Sequence, residues 1–305
     1  MSTLVNKPKH RFSRNKKQSE KESGPWQIAV KKFFHNKIAV FGLCVLILVT
    51  LIALFAPFIA THDPTKADLF MANKAPGSEH LLGTDSSGRD AFSRLVFGAR
   101  ISLIIGFCAM LFTVIIGVIL GAVAGYFGGI IDSLIMRICD IMLNFPFILF
   151  VLVVISILRE VNISTFVAVI GFTSWPQITR IIRASFLSLR EQEFIMNAKS
   201  IGASSGRVIF KHLLPNAMAP IIVNATIFMA NMIIAESALS FIGFGIPQPT
   251  PSWGNMISDA LSLRVLKYEY WLWLPPGLMI FLTVLAINFI GDGLRDALDP
   301  HFNKR

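Results

Sequence analysis

The sequence predicts an all-α polytopic membrane protein with six transmembrane helices, and three observations carry the prediction. Of 305 residues, 54% are hydrophobic and only 15% are charged, where an ordinary soluble domain has about a quarter charged. A mean hydropathy of +0.64, with 26 Phe against 3 Tyr, leaves too little polar surface to cover the two soluble domains that this length would otherwise suggest. Six stretches, near 38–59, 101–126, 138–158, 163–180, 217–241 and 271–291, approach the roughly 20 apolar residues needed to cross about 30 Å of hydrocarbon.

Residues 1–37 hold ten of the 28 Lys and Arg and are expected to be a cytoplasmic, largely disordered basic tail, since they lack apolar mass to bury. The charge reads as an orientation signal; contact with anionic lipid headgroups is the alternative. The first span, IAVFGLCVLILVTLIALFAPFI, lacks a small-residue cleavage site and reads as an uncleaved signal anchor. With the N-terminus inside and six spans, 20 Lys and Arg fall inside and 8 outside, which satisfies the positive-inside rule and puts both termini in the cytoplasm. Residues 61–100 then form an external loop, and 38–305 a single transmembrane domain. In that loop Gly83-Thr84-Asp85 and Ser87-Gly88-Arg89-Asp90 supply turn chemistry, with Asp85 or Asp90 capping the next helix.

Cys44, Cys108 and Cys139 lie in separate apolar stretches, so neither a disulfide framework nor a zinc site is expected from them. Arg137 and Asp140, spaced i, i+3, are expected to pair near the inner end of span three. The inside segment 183–215 is much longer than a turn requires. Phe186, Leu189, Phe194 and Ile201 interleave with Arg190, Glu191, Glu193 and Lys199, which predicts an amphipathic helix over 186–201. Gly202 suits a left-handed helix end, Ser204 or Ser205 can cap a second short helix through Val208, Ile209 and Phe210, and Pro215 suits the first turn of the next span. The result is a rigid elbow projecting from the membrane; a helix lying flat on lipid is the alternative.

In span five, Glu236 is a costly acid near the outer end, expected to face a partner subunit or a pathway. Pro247, Pro249 and Pro251 forbid a helix after it. Asp292, Arg295, Asp296 and Asp299 read as a terminal charge cluster on span six.

The elbow resembles the coupling loop of ABC importer permeases, whose pattern is E-A-A, three residues, G, nine residues, I-x-L-P. Gly202 takes the glycine, Leu214-Pro215 the L-P and Ala198 the second alanine, while Met196, Asn197 and His212 stand where the family has Glu, Ala and Ile. HLLGTDSSGRDAFSRLVFGARISL, SWPQITRIIR, LSFIGFGIPQPTPSWGNM and GDGLRDALDP, in that order, resemble one permease of the oligopeptide, dipeptide and nickel importers, a likeness that covers roughly 30–302. The resemblance implies the type I ABC importer permease fold in a bacterial cell membrane and oligopeptides or dipeptides as cargo, with nickel or another small solute as the alternative. It also implies a second homologous permease, an extracytoplasmic peptide-binding protein, and two ABC ATPase subunits that carry ATP and Mg. The residues implied in ATPase coupling are Glu193, Met196, Asn197, Ala198, Gly202, Ala203, Ser204, Arg207, His212, Leu214 and Pro215; those for a gate or pathway are Glu236, Pro247, Pro249 and Trp253.

This chain has no G-K dipeptide and so no phosphate-binding P-loop; no cofactor, metal or catalytic residue is expected in it, and no nucleic-acid partner. An intramembrane aspartyl protease would need Asp140 and Asp292 within hydrogen-bond reach. A stand-alone channel or proton-coupled carrier would leave the elbow without a use and would want a midplane acid or His relay, whereas all six His lie outside the spans or at their edges.

Overall fold

The computed structural model describes residues 25–158 and 161–299, so the expectation for 1–24 lies outside the described residues. Within the stretch expected to be disordered, Pro25–His35 is a helix, α1. Its reason is amphipathic spacing: Ala29 and Phe33, one turn apart, pack on Ala39, Ile290 and Ala297, a tertiary contact that composition did not disclose. Asn36 ends α1 and caps α2 (Lys37–Leu54), its Oδ1 accepting from the backbone N–H of Ile38 at 3.1 Å and Ala39 at 3.2 Å. The predicted first span breaks at Phe55 into a short α3, Ala56–Ile59, with Pro57 in its first turn.

Residues 61–90 fold into a compact cap laced by backbone bonds from Asp68 to Ser87, Asn73 to Asp85 and Thr84 to Lys74. The cap ends at Asp90 and not near residue 100, because α4 (Ala91–Phe127) starts there. Arg94 and Arg100 disqualified this first part of α4 as a span by composition, yet Arg94 is buried and Asp90 caps the helix, accepting from Ser93 N at 2.7 Å.

The third predicted span, 138–158, is not one helix. It is parted into α5 (Gly129–Asn144) and α6 (Phe147–Ile157), bent by 87°. Pro146 has no N–H to continue α5 and drives Phe145 out of the helical region, to φ −85° and ψ 134°. Asp140 pairs with Arg180, correcting the expected Arg137–Asp140 pair, and Asp132 pairs with Arg183. Both arginines belong to α7 (Ile163–Arg190).

The elbow follows as α8 (Glu193–Ser200), α9 (Ser205–Arg207), a wide π-helical turn over Val208–Leu213 and α10 (Leu214–Asn216), leading into α11 (Met218–Phe241). The helix expected over 186–201 is interrupted at Glu191 and Gln192, where α7 stops and the chain changes direction. After the proline loop come α12 (Trp253–Ile257), a 3-10 turn over Ser258–Leu261, α13 (Leu263–Tyr268) and α14 (Tyr270–Leu298). Among the described residues there is no strand, only an isolated bridge between Thr84 and Asp90.

Among the described residues, α2, α4, α11 and α14 can cross a membrane by length and composition, and the bent pair makes a fifth span if counted as one; the predicted six is not reached among them on that measure. The helix that falls short is α7, about 42 Å long at 1.5 Å per residue, because Arg180, Arg183 and Arg190 interrupt its apolar character.

The main internal seam joins α4 to α7. Gly117, Gly121 and Gly125 recur every four residues on one face of α4. A Cβ on them would fall 1.6 Å from Ile178 Cγ2, 2.7 Å from the Thr179 carbonyl oxygen and 2.6 Å from Phe186 Cβ respectively. Only hydrogen fits at this spacing, the small-residue solution by which membrane helices bring backbones into contact.

Candidate functional site

The elbow is fixed by its own backbone. Gly202 sits at φ +81°, donates its N–H to the Lys199 carbonyl at 2.9 Å, and the next N–H, of Ala203, reaches back to Ala198 at 3.1 Å. These two bonds are the Schellman closure that satisfies the last carbonyls of α8. Ser204 then caps α9, its Oγ accepting from Arg207 N at 3.4 Å. Pro215 has no N–H to offer the preceding turn, and Asn216 Nδ2 donates to the His212 carbonyl at 2.7 Å. Ile195, Ala198, Val208 and Leu213 are buried beneath the elbow, with Ile195, Val208 and Leu213 in the same apolar cluster as Phe186 of α7. Lys199 lies over the ring of Tyr126 at 5.1 Å, and Arg190 donates to the Tyr126 carbonyl, so the end of α4 is tied to both sides of the elbow.

The opposite face of the elbow is open. Glu193, Asn197, Arg207 and Pro215 are exposed, as is Gly202, while Ala203, His212 and Leu214 are half-buried. Four apolar side chains are exposed with them: Phe194 at 43%, Met196 at 50%, Phe210 at 71% and Ile201 at 86%. A ridge that is pinned below and apolar above is built to be covered.

At the other end of α11, Glu236 is correctly placed near the helix end but does not face a partner subunit or a pathway. It is fully buried. Ser240 Oγ and Ser252 Oγ each donate to its Oε1 at 2.8 Å, and Ser102 Oγ donates to Oε2 at 3.1 Å. Ser102 in turn accepts from Trp253 N at 3.2 Å. Trp253, also expected at the gate, is buried with its indole N–H on the Leu95 carbonyl at 3.1 Å and its ring against Gly98. These two residues knot α4, α11 and α12 together. The signal available in sequence was the serine-rich ladder Ser237, Ser240 and Ser252 around a lone acid.

The cap is clamped by two buried arginines. Asp85 Oδ2 accepts from Arg89 Nε at 2.7 Å, and Arg94 Nε lies 3.5 Å from it. Arg89 and Arg94 both donate to Gln248 Oε1, at 2.6 and 3.0 Å, and Arg94 also donates to the Pro249 carbonyl at 3.2 Å. The proline loop is thereby held against the cap with Pro247 and Pro249 exposed. Asp259 lies under this clamp; burial, together with the negative charge of Asp85, pushes its carboxyl up from 3.8 to about 6.

Residues 117–304 match the family described as "Binding-protein-dependent transport system inner membrane component". The chain belongs to that family. Residues 24–76 match a further one, described as "N-terminal TM domain of oligopeptide transport permease C". This permease is 45% identical over 276 residues to the dipeptide transport system permease protein of Alkalihalophilus pseudofirmus, covering 90% of each chain. It is 39% identical over 288 residues to the oligopeptide transport system permease protein of Bacillus subtilis, covering 94% of this chain and 93% of that one. The same identity holds over 277 residues to the oligopeptide transport system permease protein of Haemophilus influenzae, covering 90% and 88%. The permease is a multi-pass membrane transport subunit of the type I fold and not an enzyme, and its family works with ATPase and substrate-binding components.

A third feature of the permease escaped the sequence reading. A cavity of about 500 Å³ opens where the Phe145–Pro146 bend meets α7 and α11, lined in part by Thr173, Gln177 and Asn231. Gln177 and Asn231 are exposed amides on otherwise apolar helices, and uncharged polar residues in a span were the available signal.

Proposed function

We propose that this permease is one of two homologous membrane subunits of an ATP-driven importer for dipeptides or oligopeptides. The observation that carries this reading is the elbow: a backbone-locked helix-turn-helix with an apolar outer ridge, anchored to α4 and α7 and outside the apolar helices. Two ATPase subunits, holding ATP and Mg, receive that ridge in a groove. When they close on ATP, the elbow moves with them and α7 and α4 move with the elbow. Uptake then requires that ATP and the loaded peptide-binding protein stabilise the outward and inward states unequally. The cavity with Gln177 and Asn231 supplies one wall of the pathway, its amides able to donate to and accept from peptide groups.

The coupling residues are Glu193, Met196, Asn197, Ala198, Gly202, Ala203, Ser204, Arg207, His212, Leu214 and Pro215. Of these the outward-facing Glu193, Met196, Asn197 and Arg207 make the contacts, and Gly202, Ala203 and Ser204 set the angle. Pro247 and Pro249 face the external binding protein, and both termini and the elbow face the cytoplasm, giving six membrane crossings with the bent α5–α6 pair and α7 included. The segment boundaries are a cytoplasmic tail to residue 37, whose last part is α1 packed on α14, and then the membrane domain. The peptide cargo rests on the dipeptide and oligopeptide relatives, whose identities span most of the chain.

The test is purification of a tagged chain from its own membranes, identification of what comes with it, and uptake of labelled dipeptide, tetrapeptide and nickel by cells with and without it. Copurifying ATPases and chain-dependent peptide uptake support the reading. Chain-dependent nickel uptake without peptide uptake replaces the cargo, and absence of ATPases under conditions that preserve membrane complexes overturns the coupling role.

A further inference from the structure

We infer that His62, His80 and Asp90 form a binding site for a divalent transition-metal ion, zinc in the first instance, at the junction of the cap with α4. The three residues come from the end of the first membrane segment, the middle of the cap and the first position before α4. One donor atom from each lies within 4.8 Å of the others. His80 Nδ1 is 2.9 Å and His62 Nδ1 3.8 Å from the same Asp90 Oδ1, and the two imidazoles stack with centroids 4.6 Å apart. Zinc bonds of 2.0–2.2 Å in tetrahedral geometry separate ligand atoms by roughly 3.3–3.5 Å. Both distances to Asp90 therefore need to change by only about half an ångström to receive the ion.

The surroundings orient the set as an outer shell orients metal ligands. Asp90 Oδ2 is taken by Ser93 N at 2.7 Å and by Thr61 Oγ1 at 3.4 Å, which leaves Oδ1 for the imidazoles. The His62 backbone N–H donates to Ser93 Oγ at 3.0 Å, which fixes the segment carrying that ligand. Asp90 is 1% and His80 10% exposed at the side chain, whereas His62 is 39% exposed and borders a cavity of about 660 Å³ beside Thr61, Asp63 and Pro251. The ion would enter from that side, and water would fill its fourth position. Ligation through His80 Nδ1 uses the neutral ring with its proton moved to Nε2, so that Nδ1 offers its lone pair to the ion in place of its hydrogen bond to Asp90. Two imidazoles and a carboxylate form a borderline nitrogen and oxygen set that suits zinc and excludes magnesium and calcium. The ion would staple three segments distant in sequence at the base of the cap, a structural role separate from the cargo.

The experiment uses the full chain in its purified complex, equilibrated with low-micromolar zinc or, separately, cobalt, and then freed of excess ion. Metal content per complex is measured for the unaltered protein, His62→Ala, Asp90→Asn and the control His35→Ala. Asn caps a helix as well as Asp does, so Asp90→Asn removes the charged ligand and keeps the start of α4. The expected result is one metal equivalent fewer in His62→Ala and Asp90→Asn and none fewer in His35→Ala, with tetrahedral cobalt bands and no thiolate charge transfer. At sub-saturating zinc both ligand variants should bind at least about tenfold more weakly, and their melting midpoints in chelator should match the unaltered protein's within a few degrees for His62→Ala. Equal metal content in the unaltered protein and His62→Ala overturns the site.

Discussion

Substituting Gly202 isolates the angle of the elbow from everything else the elbow does. At φ +81° an L side chain is disfavoured by about 1–2 kcal/mol, with a β-branched residue at the upper end. A Cβ at this position meets nothing within 4 Å, so no steric term inside the chain adds to that figure. Asn tolerates the left-handed region far better, so Gly202→Val and Gly202→Asn differ mainly in conformational cost. One to two kcal/mol corresponds to a roughly 5- to 30-fold loss in the population of the closed Schellman geometry. Gly202→Val should insert normally, since it lies between α8 and α9 and outside every apolar helix. In proteoliposomes with the partner subunits, peptide uptake and the ATPase stimulation by loaded binding protein should both fall by that factor. Gly202→Asn should stay within about threefold of the unaltered protein. Ser204→Ala, which removes a single long cap bond of 3.4 Å, should cost under about 1 kcal/mol and behave like Asn. Equal transport by Val and Asn, whether both full or both lost, would refute the reasoning: the first result removes the angle from the mechanism, and the second makes the absence of a side chain the requirement.

Gly121→Val should lower the thermal midpoint of the detergent-solubilised complex by an overpacking cost of about 1–3 kcal/mol, because its Cβ would lie 2.7 Å from the Thr179 carbonyl and 2.8 Å from Ile182 Cβ; Gly206→Ala, with open space around it, should leave the midpoint unchanged. Glu236→Leu strands the hydroxyls of Ser102, Ser240 and Ser252 and should destabilise the complex by a few kcal/mol, with Glu236→Gln losing less; preserved midpoints in both would show the knot to be dispensable. Asp259 binds its proton more tightly folded than unfolded, so its contribution is favourable below pH 4 and is lost as pH rises through about 6. Asp259→Asn should therefore be more stable than the unaltered protein above pH 6, by at most about 3 kcal/mol, with the thermal midpoints of the two converging near pH 4. In a cysteine-free background, single cysteines at 202 and 249 should label from opposite sides of the membrane.

The sequence announced those features that one residue type dictates locally. Gly202 and Ser204 specified the elbow because a positive φ and a helix cap are properties of single positions, and three prolines kept the segment before α12 out of a helix. Span edges fared worse wherever composition and pairing disagreed. Arg94 looked incompatible with a buried helix, yet Asp85 and Gln248, one of them far away in sequence, satisfy it. The third span looked continuous because the apolar residues around Phe145-Pro146 hide a proline whose effect is geometric. Glu236 looked alone because two of its partners, Ser102 and Ser252, come from other elements. The regular spacing of Gly117, Gly121 and Gly125 was visible, but the identity of the helix lying against it was not.

The glycine seam between α4 and α7 has a mechanical consequence. Two helices whose backbones touch cannot slide or splay without losing contact along the whole face, so they respond to force as one bar. That bar is held at one end by the elbow, through Tyr126 with Arg190 and Lys199, and at the other it carries Ser102, Arg94 and the clamp on the proline loop. A 37-residue helix is about 55 Å long. Pivoting it by only about 5° at the elbow moves the far end by about 5 Å, a displacement larger than a hydrogen bond and comparable to one helical turn. The lever amplifies: a small rotation imposed at the elbow is enough to release or reseat the proline loop at the far end of the bar.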